Sequence, residues 1–135
     1  MTVASAAAVL DACSFVRAHT GNEQAAAWIR EALTADTILF APELILAEVA
    51  NALLGYRRRA LLTEDDLLES LDDLGSSVEL VPLRDLFPQA AEVAAARGLT
   101  VYDACYAVLA EELGVPLLTA DRRLAAATVS SILID

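Results

Sequence analysis

The sequence predicts a three-layer α/β domain, with helices on both faces of a central parallel sheet. Short apolar runs rich in Val, Ile and Leu recur without strict alternation with polar residues, as in strands buried on both faces of a parallel sheet. Segments with the apolar spacing of helices separate these runs, which is typical of right-handed strand–helix–strand crossovers. No repeat, low-complexity linker or break in composition divides the 135 residues, so we expect one domain over 1–135.

Each strand is predicted from a short run of apolar residues at consecutive positions. Such a run is ambiguous by itself, but its alternation with helical segments favours a strand. The predicted strands cover 6–10, 37–41, 78–81, 116–119 and 131–134.

The helices are predicted from apolar spacing and from residues typical of helix ends. Pro42 suits the first turn of a helix, and the three arginines at 57–59 complement the helix dipole at its other end. Thr63 is an expected N-cap, since acidic residues follow it. Gly98 and Gly114 stand where two further helices should end. The predicted helices cover 22–33, 42–59, 63–74, 88–97 and 102–113, and the second and third form a pair between two strands.

The composition excludes several classes of enzyme. All nine basic residues are arginines, so the chain cannot be a P-loop NTPase, a Schiff-base enzyme, a response regulator or a haloacid-dehalogenase-type phosphatase, each of which needs a lysine. His19 is the one histidine, which excludes zinc sites built from several histidines. We expect His19 to be an exposed loop residue.

The charge and the apolar pattern indicate the protein's surroundings. A net charge of −11 argues against non-specific binding to nucleic-acid phosphates and suits binding of cations or of a basic partner. Two cysteines are too few for a disulfide scaffold. There is no signal-peptide pattern, and no uncharged apolar run approaches the ~20 residues that span a bilayer. We therefore expect a cytoplasmic protein that does not act at a membrane.

Four acidic residues are expected at one edge of the predicted sheet. Asp11 and Asp121 follow two predicted strands, Asp103 opens a helix, and Glu48 lies in the second turn of the helix after the second strand. Ligands of such sheets bind at the carboxyl ends of the strands, where loops lead into helices. Carboxylates clustered there repel one another unless divalent cations bind among them, and oxygen ligands favour Mg²⁺ or Mn²⁺ over zinc.

Each of these acids also has a purely structural explanation. Asp11 and Asp121 could be N-caps, and Asp103 could form a capping box with Thr100. Glu48 could be solvated, but it lies beside an apolar helix stripe, where a carboxylate is costly unless it is paired or binds a metal. Caps alone therefore do not account for the set.

Other polar residues near these acids are weaker candidates. Ser14 and Thr119 could donate hydrogen bonds to the carboxylates, although cap and strand roles are equally plausible for them. Arg122 and Arg123 follow the last acid directly and could contact a substrate phosphate. The arginines at 57–59 are expected to be a solvated helix end.

The sequence resembles the PIN-domain ribonucleases that serve as toxins in VapBC toxin–antitoxin pairs. The resemblance rests on four segments that together run through nearly the whole chain. Each segment is weak evidence alone, but their order and spacing are specific. The four segments are 9–12, 41–53, 98–104 and 118–124.

The resemblance implies a fold, an activity and partners. Asp11, Glu48, Asp103 and Asp121 would be the family's acidic quartet around Mg²⁺ or Mn²⁺. The sheet would have strand order 3-2-1-4-5, and the chain would form a homodimer. A small antitoxin would inhibit it by placing a basic residue in or near the acidic pocket. The reaction would be hydrolysis of RNA to 5′-phosphate and 3′-hydroxyl ends.

One position departs from the family pattern. The family usually has Ser, Thr or Asn two residues after the first acid, where this chain has Cys13. Either Ser14 takes over the supporting role or the affinity for metal is reduced. Two alternatives to the toxin follow: a non-catalytic PIN-fold binding module, and a housekeeping nuclease of RNA maturation that has no antitoxin.

Overall fold

The computed structural model describes residues 6–134 and contains a five-stranded sheet in which every pair of neighbouring strands is parallel. The strand order is β3-β2-β1-β4-β5, as the family resemblance implied. All five predicted strands are confirmed, with ends that differ by at most one residue. The strands are β1 Ala7–Leu10, β2 Ile38–Pro42, β3 Val78–Val81, β4 Leu117–Thr119 and β5 Ser131–Leu133.

The helices cover the two faces of the sheet and complete the three layers that the sequence predicts. The two shortest, α1 and α7, are those that Asp11 and Asp121 were expected to cap. A single 3₁₀ turn over Leu83–Asp85 precedes α5. The helices are α1 Ala12–Ala18, α2 Glu23–Thr34, α3 Ile45–Arg58, α4 Glu64–Ser77, α5 Phe87–Arg97, α6 Val101–Leu113 and α7 Arg122–Ala126.

Residues at the helix ends behave as the sequence predicts, with two exceptions. Thr63 and Asp66 form a reciprocal capping box at the start of α4, and Gly98 ends α5 with a positive φ of 68°. The prediction that Pro42 opens a helix is wrong, because Pro42 pairs with Val81 as the last residue of β2. The predicted end of α4 before Gly75 is also wrong, because the helix continues to Ser77 and leads directly into β3.

Helix α6 is the central element of the core. Its seven consecutive residues 104–110 are buried, and the helix packs against α5, β1, β2 and β4. No single helix within 6–134 has both the length and the apolar character needed to cross a bilayer. Helices α5 and α6 reach these criteria only when taken together, and the chain bends by 108° between them.

The topology creates a switch point between β1 and β4. From β1 the chain moves outward to β2 and β3, then returns across the sheet to β4 on the other side of β1. The connections that leave β1 and β4 therefore run in opposite directions. Such a switch point at the carboxyl ends of the strands is where open α/β sheets bind ligands.

Candidate active site

Asp11 lies at this switch point, directly after β1, and its side chain is only 4% exposed. It is the N-cap of α1, since Oδ1 accepts a hydrogen bond from the Ser14 N–H at 2.8 Å. Oδ2 accepts a second bond from the Thr119 hydroxyl at 2.5 Å. Both carboxylate oxygens are thus oriented by partners on two different elements, α1 and β4.

Thr119 and Ser14 connect the loops that follow β1 and β4. The Thr119 hydroxyl donates to Asp11 and also accepts from the Asp121 N–H at 3.0 Å. The Ser14 hydroxyl donates to the carbonyl of Leu118 at 3.2 Å. Because both hydroxyl groups are buried, these bonds fix the position of the Asp11 carboxylate relative to the end of β4.

Asp121 and Asp103 each lie at the start of a helix. Asp121 caps α7, where Oδ1 accepts from the backbone N–H groups of Arg123 and Leu124 at 2.9 and 3.1 Å. Asp103 lies in the first turn of α6, and its backbone N–H donates to the Thr100 hydroxyl at 3.1 Å. The proposed N-cap role of Asp121 is therefore present, whereas at α6 the cap is Thr100 and the bond from the Asp103 N–H is one half of the proposed capping box.

Glu48 is half-buried on α3 and has a partner that the sequence did not identify. The hydroxyl of Tyr106 donates to Glu48 Oε1 at 2.6 Å. Tyr106 is 2% exposed. The only sequence signal was its position one helical turn after Asp103, which places both side chains on the same side of α6.

Electrostatic repulsion connects the four acids and shows that the fold brings them together. Burial raises the pKa of Asp11, and the charge of Asp103 raises it further. Burial likewise raises the pKa of Glu48, with additional repulsion from Asp103 and Asp11. The pKa of Asp103 is raised by burial and then by the charge of Asp121. Each carboxylate thus lies within range of at least one other.

The ligand chemistry of this cluster fits a hard divalent cation. Within 6–134 the ion pairs are His19–Asp73 and Arg97–Glu111, so none of the four acids is neutralised by such a pair. In the same part of the chain, no three His, Cys, Asp or Glu side chains are close enough to hold an ion directly. Mg²⁺ does not require three side chains as direct ligands, because it usually keeps several waters and takes one or two carboxylates from the protein.

Comparison with known proteins places the chain in a family. The pattern described as PIN domain matches residues 8–129, and all four acids lie inside the match. The chain belongs to the PIN-domain family. The resemblance seen in the sequence is therefore confirmed, and the switch-point cluster lies in the region that carries the match.

Similar PIN proteins include curated relatives and solved structures. Ribonuclease VapC3 of Pyrobaculum aerophilum is 37% identical over 107 residues, which are 77% of this chain and 79% of that protein. The crystal structure of PAE2754 from the same organism has a TM-score of 0.74 and 29% identity, over 98% of this chain and 91% of that chain. VapBC2 of Rickettsia felis, solved with a DNA fragment from its promoter, has a TM-score of 0.70 and 14% identity, over 96% and 99% of the chains. At 14% identity, the similarity to VapBC2 shows a shared fold and nothing more.

Cys13 lies at the edge of the acidic cluster in this PIN domain. Burial and the charges of Asp11 and Asp121 raise the pKa of its thiol, while Arg17, which contacts the thiol, lowers it. Repulsion from the acids therefore disfavours the thiolate, which is the form that binds metals. Ser14 supports the first acid through its backbone N–H, while its hydroxyl donates to the Leu118 carbonyl of β4.

The two arginines after Asp121 have different environments. The Arg123 guanidinium donates to the carbonyl of Gly98, and its charge lowers the pKa of Asp103. Arg123 thereby ties α7 to the turn between α5 and α6. Arg122 is exposed at the start of α7.

Proposed function

We propose that this PIN domain is a Mg²⁺- or Mn²⁺-dependent endoribonuclease and the toxin of a toxin–antitoxin pair. The observation that carries the proposal is the convergence of Asp11, Glu48, Asp103 and Asp121, from four separate segments, at the switch point between β1 and β4. Caps account for some of these acids, but Glu48 caps no helix and is held in a half-buried position by Tyr106. Similarity to a ribonuclease over 77% of the chain supports the same activity.

The four carboxylates would surround the cation, one or two as direct ligands and the others through the waters that the cation keeps, and their neighbours would orient them. Ser14 and Thr119 fix the Asp11 carboxylate, and Tyr106 fixes that of Glu48. The chemistry that the cation supplies at such a site is activation of water for attack on phosphorus and neutralisation of the charge that develops there. Without a cation, the acidic cluster would repel the phosphodiester that has to enter it.

The same charge distribution supports the proposed partners. An antitoxin that inserts a basic residue would compensate the clustered carboxylates, and the net charge of −11 suits a basic segment in general. The VapBC2 structure shows a chain of this fold solved together with its VapB partner. We propose that this chain acts in the cytoplasm, as a homodimer, and is inhibited by such an antitoxin.

Cleavage of total RNA tests the proposed activity. With Mg²⁺ or Mn²⁺ we expect discrete fragments carrying 5′-phosphate ends, and with EDTA we expect none. The position and chemistry of the ends identify the substrate and distinguish this hydrolysis from cleavage by a contaminating metal-independent ribonuclease. Melting measured in parallel should show a higher Tm with the cation than with EDTA. Identical RNA profiles and identical Tm values in both conditions would contradict the proposal.

The exposed Cys13 supports a second candidate function, that of a binding module without nuclease activity. If a thiol at this position lowers metal affinity far enough, the domain would retain its fold and act as a binding module without cleavage. Absence of cleavage of any RNA together with absence of a metal-induced rise in Tm would favour that function over the nuclease.

Tyr106→Phe tests the role of the tyrosine that holds Glu48. Removal of the hydroxyl leaves Glu48 Oε1 without this donor, so we expect metal affinity to fall about tenfold, as is common for groups that orient metal ligands. The measurement is calorimetric titration with Mn²⁺. The matched control is Tyr102→Phe, one turn earlier on α6 with a side chain 65% exposed, which should bind Mn²⁺ like the wild type. Equal affinities for both variants would show that Tyr106 does not position Glu48.

A further inference from the structure

A groove of about 580 Å³ lies beside the acidic cluster, between α1 and α3. Glu48 lines it at the end nearest the cluster, and Tyr56 lines it further along α3. The eight residues between them correspond to about 12 Å along the helix axis. Arg17 and Cys13 line the opposite side, on α1. The groove therefore leads away from the proposed site of cleavage.

Basic residues lie along this groove and just beyond it. Arg17 contacts the Cys13 thiol, and the arginines 57–59 follow Tyr56 at the end of α3. Within the described residues, the two ion pairs involve none of these four arginines. Arg17 thus lines the groove itself, and the arginines at 57–59 add positive charge beyond Tyr56, while Glu48 is the acidic residue of the lining.

The aromatic ring in the groove is held by one of these arginines. The guanidinium carbon of Arg59 lies 4.9 Å from the ring centroid of Tyr56, in a cation–π contact. The electrostatic influence of Tyr56 also reaches Arg17. A half-buried ring in contact with one guanidinium group and in electrostatic range of a second resembles the aromatic and arginine surfaces on which single-stranded nucleic acids stack their bases.

We propose that this groove binds the stretch of RNA next to the scissile phosphate, with Arg17 contacting a backbone phosphate and Tyr56 stacking against a base. The inference rests on the proposed ribonuclease function and adds a substrate-binding surface to it. RNA fits better than a basic protein segment, because the arginines would repel such a segment. It also explains how a chain with a net charge of −11 can hold a polyanion, since the attraction is local.

The test measures binding of a labelled single-stranded RNA by fluorescence anisotropy in Mn²⁺, with every variant made in the Asp103→Asn background so that the probe remains intact. Arg17→Ala should lower affinity about tenfold and reduce the salt dependence by roughly one counterion. Tyr56→Ala should also lower affinity about tenfold, whereas Tyr56→Phe keeps the ring and should bind like the wild type. The control is Arg30→Ala, an exposed arginine that lines a different pocket, formed by α1, α2 and α4, and it should leave affinity unchanged.

Cleavage kinetics separate this proposal from the one on which it rests. With Mn²⁺, Arg17→Ala should raise KM with kcat nearly unchanged, because its contact is equally strong in the ground and transition states. If the wild type cleaves RNA but Arg17→Ala and Tyr56→Ala match it in affinity and KM, the groove proposal is overturned and the nuclease stands. If no metal-dependent cleavage occurs, the nuclease proposal fails. Weaker binding of an arginine-rich peptide, with RNA binding unchanged, would assign the groove to a protein partner instead.

Discussion

Asp103→Asn is expected to reduce metal-dependent RNA cleavage by about 10²-fold or more while leaving the fold intact. Asparagine keeps the size of the side chain and removes the charge that a cation would need. The backbone N–H of residue 103 would still donate to Thr100, so the first turn of α6 should be preserved. Relief of the repulsion from Asp121 should offset the loss of a favourable acid at a helix N-terminus, which is about 0.3–1 kcal/mol.

Asp65→Asn is the matched control for this variant. Asp65 also lies in the first turn of a helix, α4, but is exposed and lies outside the acidic cluster. It should lose the same small helix-dipole contribution and retain full cleavage. Cleavage rates and Tm values of both variants should be measured beside the wild type. If Asp103→Asn cleaved RNA at the wild-type rate, the acids would be helix caps and core neighbours rather than catalytic groups.

Lowering the pH from about 7 to about 5 is expected to stabilise the metal-free protein. Asp11, Glu48 and Asp103 have pKa values raised in the folded state, so the folded protein binds more protons than the unfolded chain over that interval. The free energy of unfolding therefore falls as the pH rises from the ordinary carboxyl values of 3.8 and 4.5 through the raised values. Each gain of about 1 kcal/mol should raise the Tm by ~4 °C for a domain of this size.

The rise in Tm caused by divalent cations should be larger at high pH than at low pH, whereas the Tm of the metal-free protein should be higher at low pH. Protons compete with the cation for the same carboxylates, so Mn²⁺ should raise the Tm more at about pH 7 than at about pH 5. Asp66 and Glu111 have lowered pKa values in the folded state, so they stabilise it at any pH above the ordinary values of 3.8 and 4.5. They lose this stabilising effect only below those values, so they do not alter the trend between about pH 7 and about pH 5. The control is Glu48→Gln, which removes one of the raised carboxyls and should weaken both trends. A Tm that falls steadily towards pH 5 and ignores Mn²⁺ would contradict the prediction.

Much of the architecture was accessible from local sequence patterns. The five strands and the helix ends at Thr63, Gly98 and Gly114 follow from residue chemistry that acts over a few positions. Pro42 shows where such rules fail. Its fixed φ suits a helix start and a strand end alike, and the pairing with Val81 decided between them, which is a long-range contact. The strand order was likewise outside the reach of periodicity and came from the family resemblance.

The site shows the same division between local and long-range information. The four acids could be proposed because each follows a strand or lies in the first two turns of a helix. The role of Tyr106 in orienting Glu48 could not be predicted, because the two residues are 58 positions apart and no local sequence pattern connects them. The groove was not predicted either, because Arg17 and Tyr56 lie on different helices and are 39 positions apart in the sequence.

The bond between Thr119 and Asp11 joins residues 108 positions apart, and this separation bears on how the protein is made. A ribosome synthesises chains from the N-terminus at about 5–20 residues per second, so Asp11 emerges many seconds before Thr119. Until β4 has emerged and paired with β1, the first carboxylate lacks its partner, and Asp103 and Asp121 are not yet in place beside it. We therefore expect a nascent chain to be harmless for most of its synthesis. An inhibitor that is already present would meet the active protein only as it finishes folding.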